Sequence, residues 1–258
     1  MKRLMKLFEH ILIQVNTSPE KPIEAINGTS PEDFRQICAW NDYIPSPSSD
    51  SIVGRIQYHS VTQPEATAID AWNGSLSYAE LVERSSALAV ILSEHGVGKE
   101  VFVPLCFKES KYVPLAILAV AKAGGAFILL DPAHPIQQLR SICEGSDAHT
   151  VVCSQAQFET AGQLGCRQII PVGQPVQALE KQVLAQSLQT VNGSDAFCAV
   201  FTSGSTGKPK GSILEYAAFA TNVSLLGPRF RLGNTVCVLQ FASHSFDAAV
   251  AGYISTLV

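Results

Sequence analysis

Eleven consecutive residues, Phe201-Thr202-Ser203-Gly204-Ser205-Thr206-Gly207-Lys208-Pro209-Lys210-Gly211, hold three glycines, four hydroxyl side chains and two lysines. They follow directly on an apolar run, Ala196 to Phe201. Glycines let a backbone turn sharply and bring its N–H groups close to an anion. The hydroxyls of Thr202, Ser203, Ser205 and Thr206 add donors, and Lys208 and Lys210 add positive charge. The ligand class such a set suits is a polyphosphate. A polar surface loop without a ligand is the plain alternative. The ordered succession of strand, hydroxyl–glycine turn and Lys-Pro-Lys-Gly argues against it.

The segment is not a G-x-x-x-x-G-K-[ST] loop. Five positions before Gly207 stands Thr202, where that pattern needs glycine, and Lys208 is followed by Pro209 rather than by a magnesium-binding hydroxyl. Pro209 also lacks the N–H that a phosphate-cradling helix start would use. Farther on, Asp247 follows Phe246 at the start of an apolar stretch, Ala248 to Val258, that reads as a helix. A carboxylate there sits near a helix N-terminus, which suits an N-cap or first-turn Asp. His244 lies two residues before Phe246, where a structural histidine at a strand end is the competing assignment.

These residues need a frame. From residue 51 the sequence alternates short apolar runs with helical patterns. Ser77-Tyr78-Ala79-Glu80 has capping-box spacing and opens a helix running to Gly96, with Leu81, Leu88 and Leu92 inward. Val101 to Phe107 reads as a strand. Ser110 is the expected cap of an apolar helix ending at Gly124-Gly125. Ala126 to Leu130 reads as a buried strand stopped by Asp131-Pro132, and Pro135 to Glu144 as a helix. Thr150 to Cys153, Gln168 to Val172 and Ala196 to Phe201 read as strands, and Val176 to Leu188 as a helix. Strands of this length alternating with helices predict an α/β fold with a mostly parallel sheet covered by helices.

Residues 1–50 are expected to form a separate segment. Leu4, Leu7, Phe8, Ile11, Leu12 and Val15 share one helical face. Lys2, Arg3 and Lys6 raise the question of a presequence, which the acids Glu9 and Glu20 oppose. Prolines 19, 22, 31, 45 and 47 mark a linker, interrupted by a helix from Pro31 to Ala39 with Ser30 as cap and Trp40 as a surface anchor.

At 258 residues the chain allows one large domain or a domain with an appendage, on a soft scale of roughly 150 residues per domain. With 47% hydrophobic residues and a net charge of −4, disorder is excluded as the dominant state and no bulk basic field exists to hold nucleic acid. The longest apolar window, Val113 to Leu130, is broken by Pro114, Lys122 and Gly124-Gly125 and makes a poor membrane span. Seven cysteines, an odd number without a C-x-x-C pair, support neither a zinc site nor a disulfide framework. Cys106, Cys153, Cys198 and Cys237 lie in apolar runs, predicting buried reduced thiols in a cytoplasmic chain.

The Thr202–Lys210 loop resembles the phosphate-binding signature of adenylate-forming (AMP-binding) enzymes. Leu76-Ser77-Tyr78-Ala79-Glu80-Leu81 and Leu118-Ala119-Val120-Ala121-Lys122-Ala123-Gly124-Gly125-Ala126-Phe127, followed by Leu129-Leu130-Asp131-Pro132, are similar to early motifs of the adenylation domains of fungal-type nonribosomal peptide synthetases. Phe246-Asp247 is similar to the start of a later "F-D-x-S" motif, with Ala249 where that motif has Ser. The resemblance covers residue 51 to the C-terminus. Residues 1–50 resemble the linker between a condensation and an adenylation domain.

The resemblance implies a ligase that joins an amino acid carboxylate to the α-phosphorus of ATP, with Mg2+ as cofactor. A carrier domain's phosphopantetheine arm would be the partner in a full synthetase, beside condensation and peptidyl-carrier domains. It gives Thr202, Ser203, Gly204, Ser205, Thr206, Gly207, Lys208 and Lys210 to the nucleotide phosphates. It gives Asp247 to the substrate's ammonium, Ala248 and Ala251 to the side-chain pocket, and His244 to a gate near the reacting carboxylate. No metal ligand and no catalytic residue is assigned. The family's later motifs do not occur, so the expectation is an N-terminal portion with little activity by itself. Two other readings stay open: part of an acyl-CoA synthetase-like ligase, and a non-catalytic remnant or binding module.

Overall fold

The computed structural model describes residues 2–48, 50–173, 191–203, 209–233, 236–244 and 246–258, with the backbone alone for Ser203. The helix expected over Val176–Leu188, and Gly204 to Lys208 of the glycine-rich loop, lie outside the described residues. The chain divides into two compact units, Met1–Ser46 and Pro47–Val258.

The first unit holds α1 (Lys2–Thr17) and α2 (Pro31–Trp40). Ser30 caps α2 as expected: its hydroxyl accepts from Asp33 N at 3.1 Å, and Pro31 opens the helix. Gln14 exchanges two hydrogen bonds with the backbone of Asn27, and Lys6 pairs with Glu32 at 2.8 Å. Trp40 stays 62% exposed, with the Arg3 guanidinium 4.9 Å from its ring centroid. No residue of either helix is buried.

The second unit opens with α3 (Ile52–Thr62) and a two-stranded antiparallel ribbon, β1 (Thr67–Ile69) and β2 (Leu76–Ser77). Then come α4 (Tyr78–Glu94), β3 (Phe102–Cys106), α5 (Tyr112–Lys122), β4 (Ala126–Leu130), α6 (Ile136–Gly145) and β5 (Thr150–Ser154). They are followed by α7 (Phe158–Gly162), β6 (Gln168–Val172), β7 (Ala196–Ser203), β8 (Pro209–Glu215), α8 (Tyr216–Arg229) and α9 (Asp247–Ser255).

Among the described residues one six-stranded sheet forms in the order β6-β5-β3-β4-β7-β8. All neighbours are parallel except β7 and β8, which are antiparallel. The period of two along each strand divides the core into two parts. Leu105, Phe127, Leu129 and Val152 join the larger cluster with residues of α3, α4, α5, α8 and α9. Cys106, Ile128, Leu130, Val151 and Cys153 join the smaller one with α6 and α7.

The capping box is complete: Glu80 N donates to Ser77 Oγ at 3.2 Å and Ser77 N to Glu80 Oε2 at 3.0 Å. The end of α5 shows why two glycines stand together. Gly124 takes φ +80°, the left-handed conformation that stops a helix. Gly125 has no room for a side chain, since a Cβ there would lie 2.8 Å from Val97 Cγ1 and 3.2 Å from Val101 O.

Two expectations are corrected. Ser110 does not cap α5: Lys111 is the N-cap, without a side-chain cap bond, and Ser110 contributes its backbone carbonyl to Val113 N at 3.1 Å. Its hydroxyl is buried without a partner. Cys237 is exposed rather than buried, because the apolar run around it forms no strand and lies at the surface, where Leu239 and Phe241 are also exposed.

Candidate active site

Open parallel sheets place ligands outside the carboxyl ends of their strands. Here β4 ends at Leu130 and β7 at Ser203, and a cleft opens between them, lined by Leu130, Asp131, His134, Gln138, Ala199, Phe201, His244 and Val250. Asp131, the residue that stops β4, orders its rim. Its Oδ1 accepts from Ala133 N at 2.9 Å, which holds the turn, and its Oδ2 accepts from Ser243 Oγ at 3.1 Å. Ser243 is brought from 112 positions away in the sequence.

His244 is 3% exposed, with Nε2 3.0 Å from the Tyr253 hydroxyl on α9. The backbone of Phe107 and Leu130, at the ends of β3 and β4, favours the protonated ring. Desolvation holds its pKa below the ordinary histidine value, against the nearby charges of Glu109 and Asp131. The imidazole is therefore neutral at pH 7. It braces α9 against the ends of β3 and β4.

Helix α9 begins at Asp247, with Phe246 as an N-cap that makes no side-chain cap bond. Ala249, Val250, Tyr253 and Ile254 are buried. Asp247 and Ala248 are exposed and Ala251 is half-buried. Residues three and four apart share a helix face, so Asp247, Ala248 and Ala251 form one small, open face ending in a carboxylate. Asp247 also lies close enough to β7 to reinforce desolvation at Cys198, whose thiol is pushed up to about 12.

The glycine-rich segment joins two antiparallel strands, β7 and β8. Thr202 pairs in register with Lys210, and Ser203 with Pro209. Thr202 and Lys210 are both exposed, and directly opposed residues of an antiparallel pair stand side by side. Phe201, which lines the cleft, is opposite Gly211, where an added Cβ would lie 2.9 Å from its ring.

The structure places Thr202 and Lys210 side by side at the carboxyl end of β7, His244 in the lining of the cleft, and Asp247, Ala248 and Ala251 on α9. Sequence reasoning missed Ser243 and Tyr253, whose partners are distant or on another element. Among the described residues no three or more His, Cys, Asp or Glu side chains are grouped to hold a metal ion. None of their helices is long and apolar enough to cross a membrane.

The architecture is an α/β domain built on a mostly parallel sheet covered by helices. A profile of AMP-binding enzymes matches residues 56–258, and the chain belongs to that family. Fungal relatives agree. "Nonribosomal peptide synthetase otaB" of Aspergillus carbonarius is 42% identical over 99% of this chain and 13% of its own length. "Nonribosomal peptide synthetase 1" of Aspergillus fumigatus is 38% identical over 100% of this chain and 4% of its own. "N-benzoylphenylalaninol synthetase apmA" of Penicillium brevicompactum is 38% identical over 100% and 11%. The chain therefore spans a small part of each relative's length. Among solved structures, the nonribosomal peptide synthetase FmoA3 in its α-methyl-L-serine-AMP-bound form superposes with a TM-score of 0.77 at 20% identity, over 97% of this chain and 28% of that one. A four-domain nonribosomal peptide synthetase bound to AMP and glycine superposes with 0.74 at 18% identity, over 99% and 19%.

Proposed function

We propose that this chain is the N-terminal part of an adenylation domain that activates an amino acid with ATP. An oxygen of the substrate carboxylate attacks the α-phosphorus. The bond from that phosphorus to the bridging oxygen breaks, and pyrophosphate leaves with the electron pair. Donors on the leaving group gain most as charge develops there, so they lower the barrier more than they tighten ground-state binding. This is the role we give to Thr202, Ser203, Gly204, Ser205, Thr206, Gly207 and Lys208, with Lys210 at the loop base. Asp247 would hold the substrate's ammonium, and Ala248 and Ala251 would leave room for its side chain. His244, neutral and buried, would set the position of α9 and form the wall near the carboxylate.

The observation that carries this reading is the end of β7, where Thr202 stands opposite Lys210 of β8. Thr202 follows Phe201, which lines the cleft. The described residues do not offer a magnesium-binding set, so no step is assigned to that metal. In a complete synthetase the partners would be condensation and peptidyl-carrier domains, with a phosphopantetheine thiol receiving the aminoacyl group. All seven cysteines are free, which supports a reducing, cytoplasmic setting.

The test is pyrophosphate exchange by a polypeptide carrying this chain within the full adenylation unit, with panels of amino acids and fatty acids. Amino-acid-dependent exchange that falls roughly 100-fold or more in Lys208→Ala is expected. Exchange with fatty acids alone, or an unchanged rate in Lys208→Ala, would refute the assignment.

A further inference from the structure

Strand β4 lies inside the six-stranded sheet, between β3 and β7, and every one of its residues is buried. Asp131 follows it directly, so its backbone starts from a fixed point. Its carboxylate is then oriented by its own turn. Pro132 restricts the Asp131 backbone, and Oδ1 accepts from Ala133 N at 2.9 Å. Oδ2 is left for the hydroxyl of Ser243, which donates to it at 3.1 Å.

Residues 236–244 form no helix or strand, and Val238, Leu239 and Phe241 are exposed. Such a segment has little packing to fix its course. Hydrogen bonds carry it instead. Ser243 O accepts from Phe246 N at 3.1 Å, and Phe246 O accepts from Ala249 N at 3.1 Å. A continuous path therefore runs from the carboxylate at the end of β4, through the side chain and then the carbonyl of Ser243, to the first turn of α9. The helix start has few other ties. Phe246 makes no side-chain cap bond, Asp247 and Ala248 are exposed, and the buried face begins only at Ala249.

We propose that Asp131 is a positioning residue for the amino acid: through Ser243 it sets the start of α9, and with it the place of Asp247 and Ala248. The proposal deepens the adenylation reading and rests on it, since there Asp247 holds the substrate's ammonium. The path also has a reference point. Strand β7, which ends in Thr202 and Ser203, is the neighbour of β4 in the sheet. The substrate side and the nucleotide side are thus both hung from adjacent strands, and the Asp131–Ser243 bond registers the first against the second. Misplacing a reacting group by about 1 Å costs up to roughly 100-fold in rate.

The experiment has two arms. In the 258-residue chain, hydrogen exchange read by mass spectrometry should be roughly 10-fold faster across residues 236–249 in Ser243→Ala, with β3 and β5 unchanged. In the full adenylation unit, kcat/KM for the amino acid in pyrophosphate exchange should fall roughly 10-fold in Ser243→Ala and in Asp131→Ala. The double variant should lose no more than either single one, because both remove the same link. KM for ATP should change by less than about 2-fold. Asp131→Asn keeps the acceptor for Ala133 N and offers an N–H to Ser243 Oγ, so it should recover to within about 3-fold of the parent. Losses that multiply in the double variant, or Asp131→Asn as impaired as Asp131→Ala, would overturn the proposal. So would parental exchange and kinetics in Ser243→Ala, whether or not Asp131→Ala folds. A parent unit without amino-acid-dependent pyrophosphate exchange would refute the adenylation reading, and the positioning role with it, even where the hydrogen-exchange effect is present. An active parent with no hydrogen-exchange effect in Ser243→Ala would refute the positioning role alone.

Discussion

The imidazole Nε2 of His244 lies 3.0 Å from the hydroxyl of Tyr253, and this contact joins a residue three positions before α9 to the helix's second turn. The neutral ring and the phenol share one hydrogen bond, whose direction is set by the imidazole tautomer. The pair fixes where α9 starts, and therefore where Asp247 stands.

Tyr253→Phe removes the hydroxyl and leaves a buried ring nitrogen without its partner. The expected cost is about 1–3 kcal/mol in urea unfolding, with little change in the slope. The pH dependence has a definite sign. Burial depresses the folded-state pKa of His244 below the unfolded value near 6.5, so the unfolded chain takes up the proton first. The contribution is complete above pH 6.5 and is lost as the pH falls below it. A stability curve of the unmutated chain that rises on acidification through this range would contradict the neutral assignment.

Lys122 gives a second pH signature at the opposite end of the scale. Its Nζ is enclosed between α4 and α5 and donates to Val82 O at 2.8 Å, Ser85 Oγ at 2.8 Å and Ser86 Oγ at 2.7 Å. Desolvation lowers its pKa from 10.5 to about 7, although three acceptors are matched to three ammonium protons. The unfolded chain holds this proton more tightly, so stability should rise as pH climbs from about 7 toward 10.5, on the order of a few kcal/mol. Lys122→Met keeps most of the volume, and both serines still donate to Val82 O. It should therefore fold and lose the alkaline slope. An unchanged slope in that variant would assign the effect to another group.

The Gly124-Gly125 pair separates two kinds of backbone constraint. Gly124→Ala forces a side chain into positive φ and should cost about 1 kcal/mol. Gly125→Ala drives a methyl against Val97, Val120 and the Val101 carbonyl and should cost about 1–3 kcal/mol. It should also disturb Tyr216, whose hydroxyl donates to Ala121 O and Gly125 O at 3.3 Å each. Chemical denaturation of both variants decides whether the second exceeds the first.

What was legible in the sequence follows from the range of the interactions involved. The capping box at Ser77, the stop at Asp131-Pro132 and the apolar strands β3, β4 and β5 depend on neighbouring residues, and the pattern shows them. Strand β8 is an edge strand, mostly exposed along Pro209–Glu215, so no apolar run announces it. Helix α3 buries only Ile52 and Ile56 and carries Gly54, Thr62 and two β-branched valines, which weakens its periodic signal. Ser110 has the residue type of a cap, but the backbone took that role. At the site, Asp247 and the hydroxyl–glycine loop were readable as chemistry, whereas the Asp131–Ser243 and His244–Tyr253 pairs arise only once the chain is folded.

Asp247 offers the sharpest separation of substrate from nucleotide. Its side chain is exposed at the first position of α9, where Phe246 already serves as N-cap, so Asp247→Asn changes charge with almost no change in volume or fold. In the full adenylation unit a bound ammonium would lose its counter-charge, and a charge-assisted hydrogen bond would become a neutral one. The expected result is a KM for the amino acid raised roughly 10-fold or more, corresponding to about 1.4 kcal/mol or above, with the KM for ATP nearly unchanged. Thermal unfolding of the variant should match the parent within about 0.5 kcal/mol, as for other exposed substitutions. Equal losses in both KM values would place Asp247 in the nucleotide site, and no loss in either would leave it a first-turn residue that complements only the helix dipole.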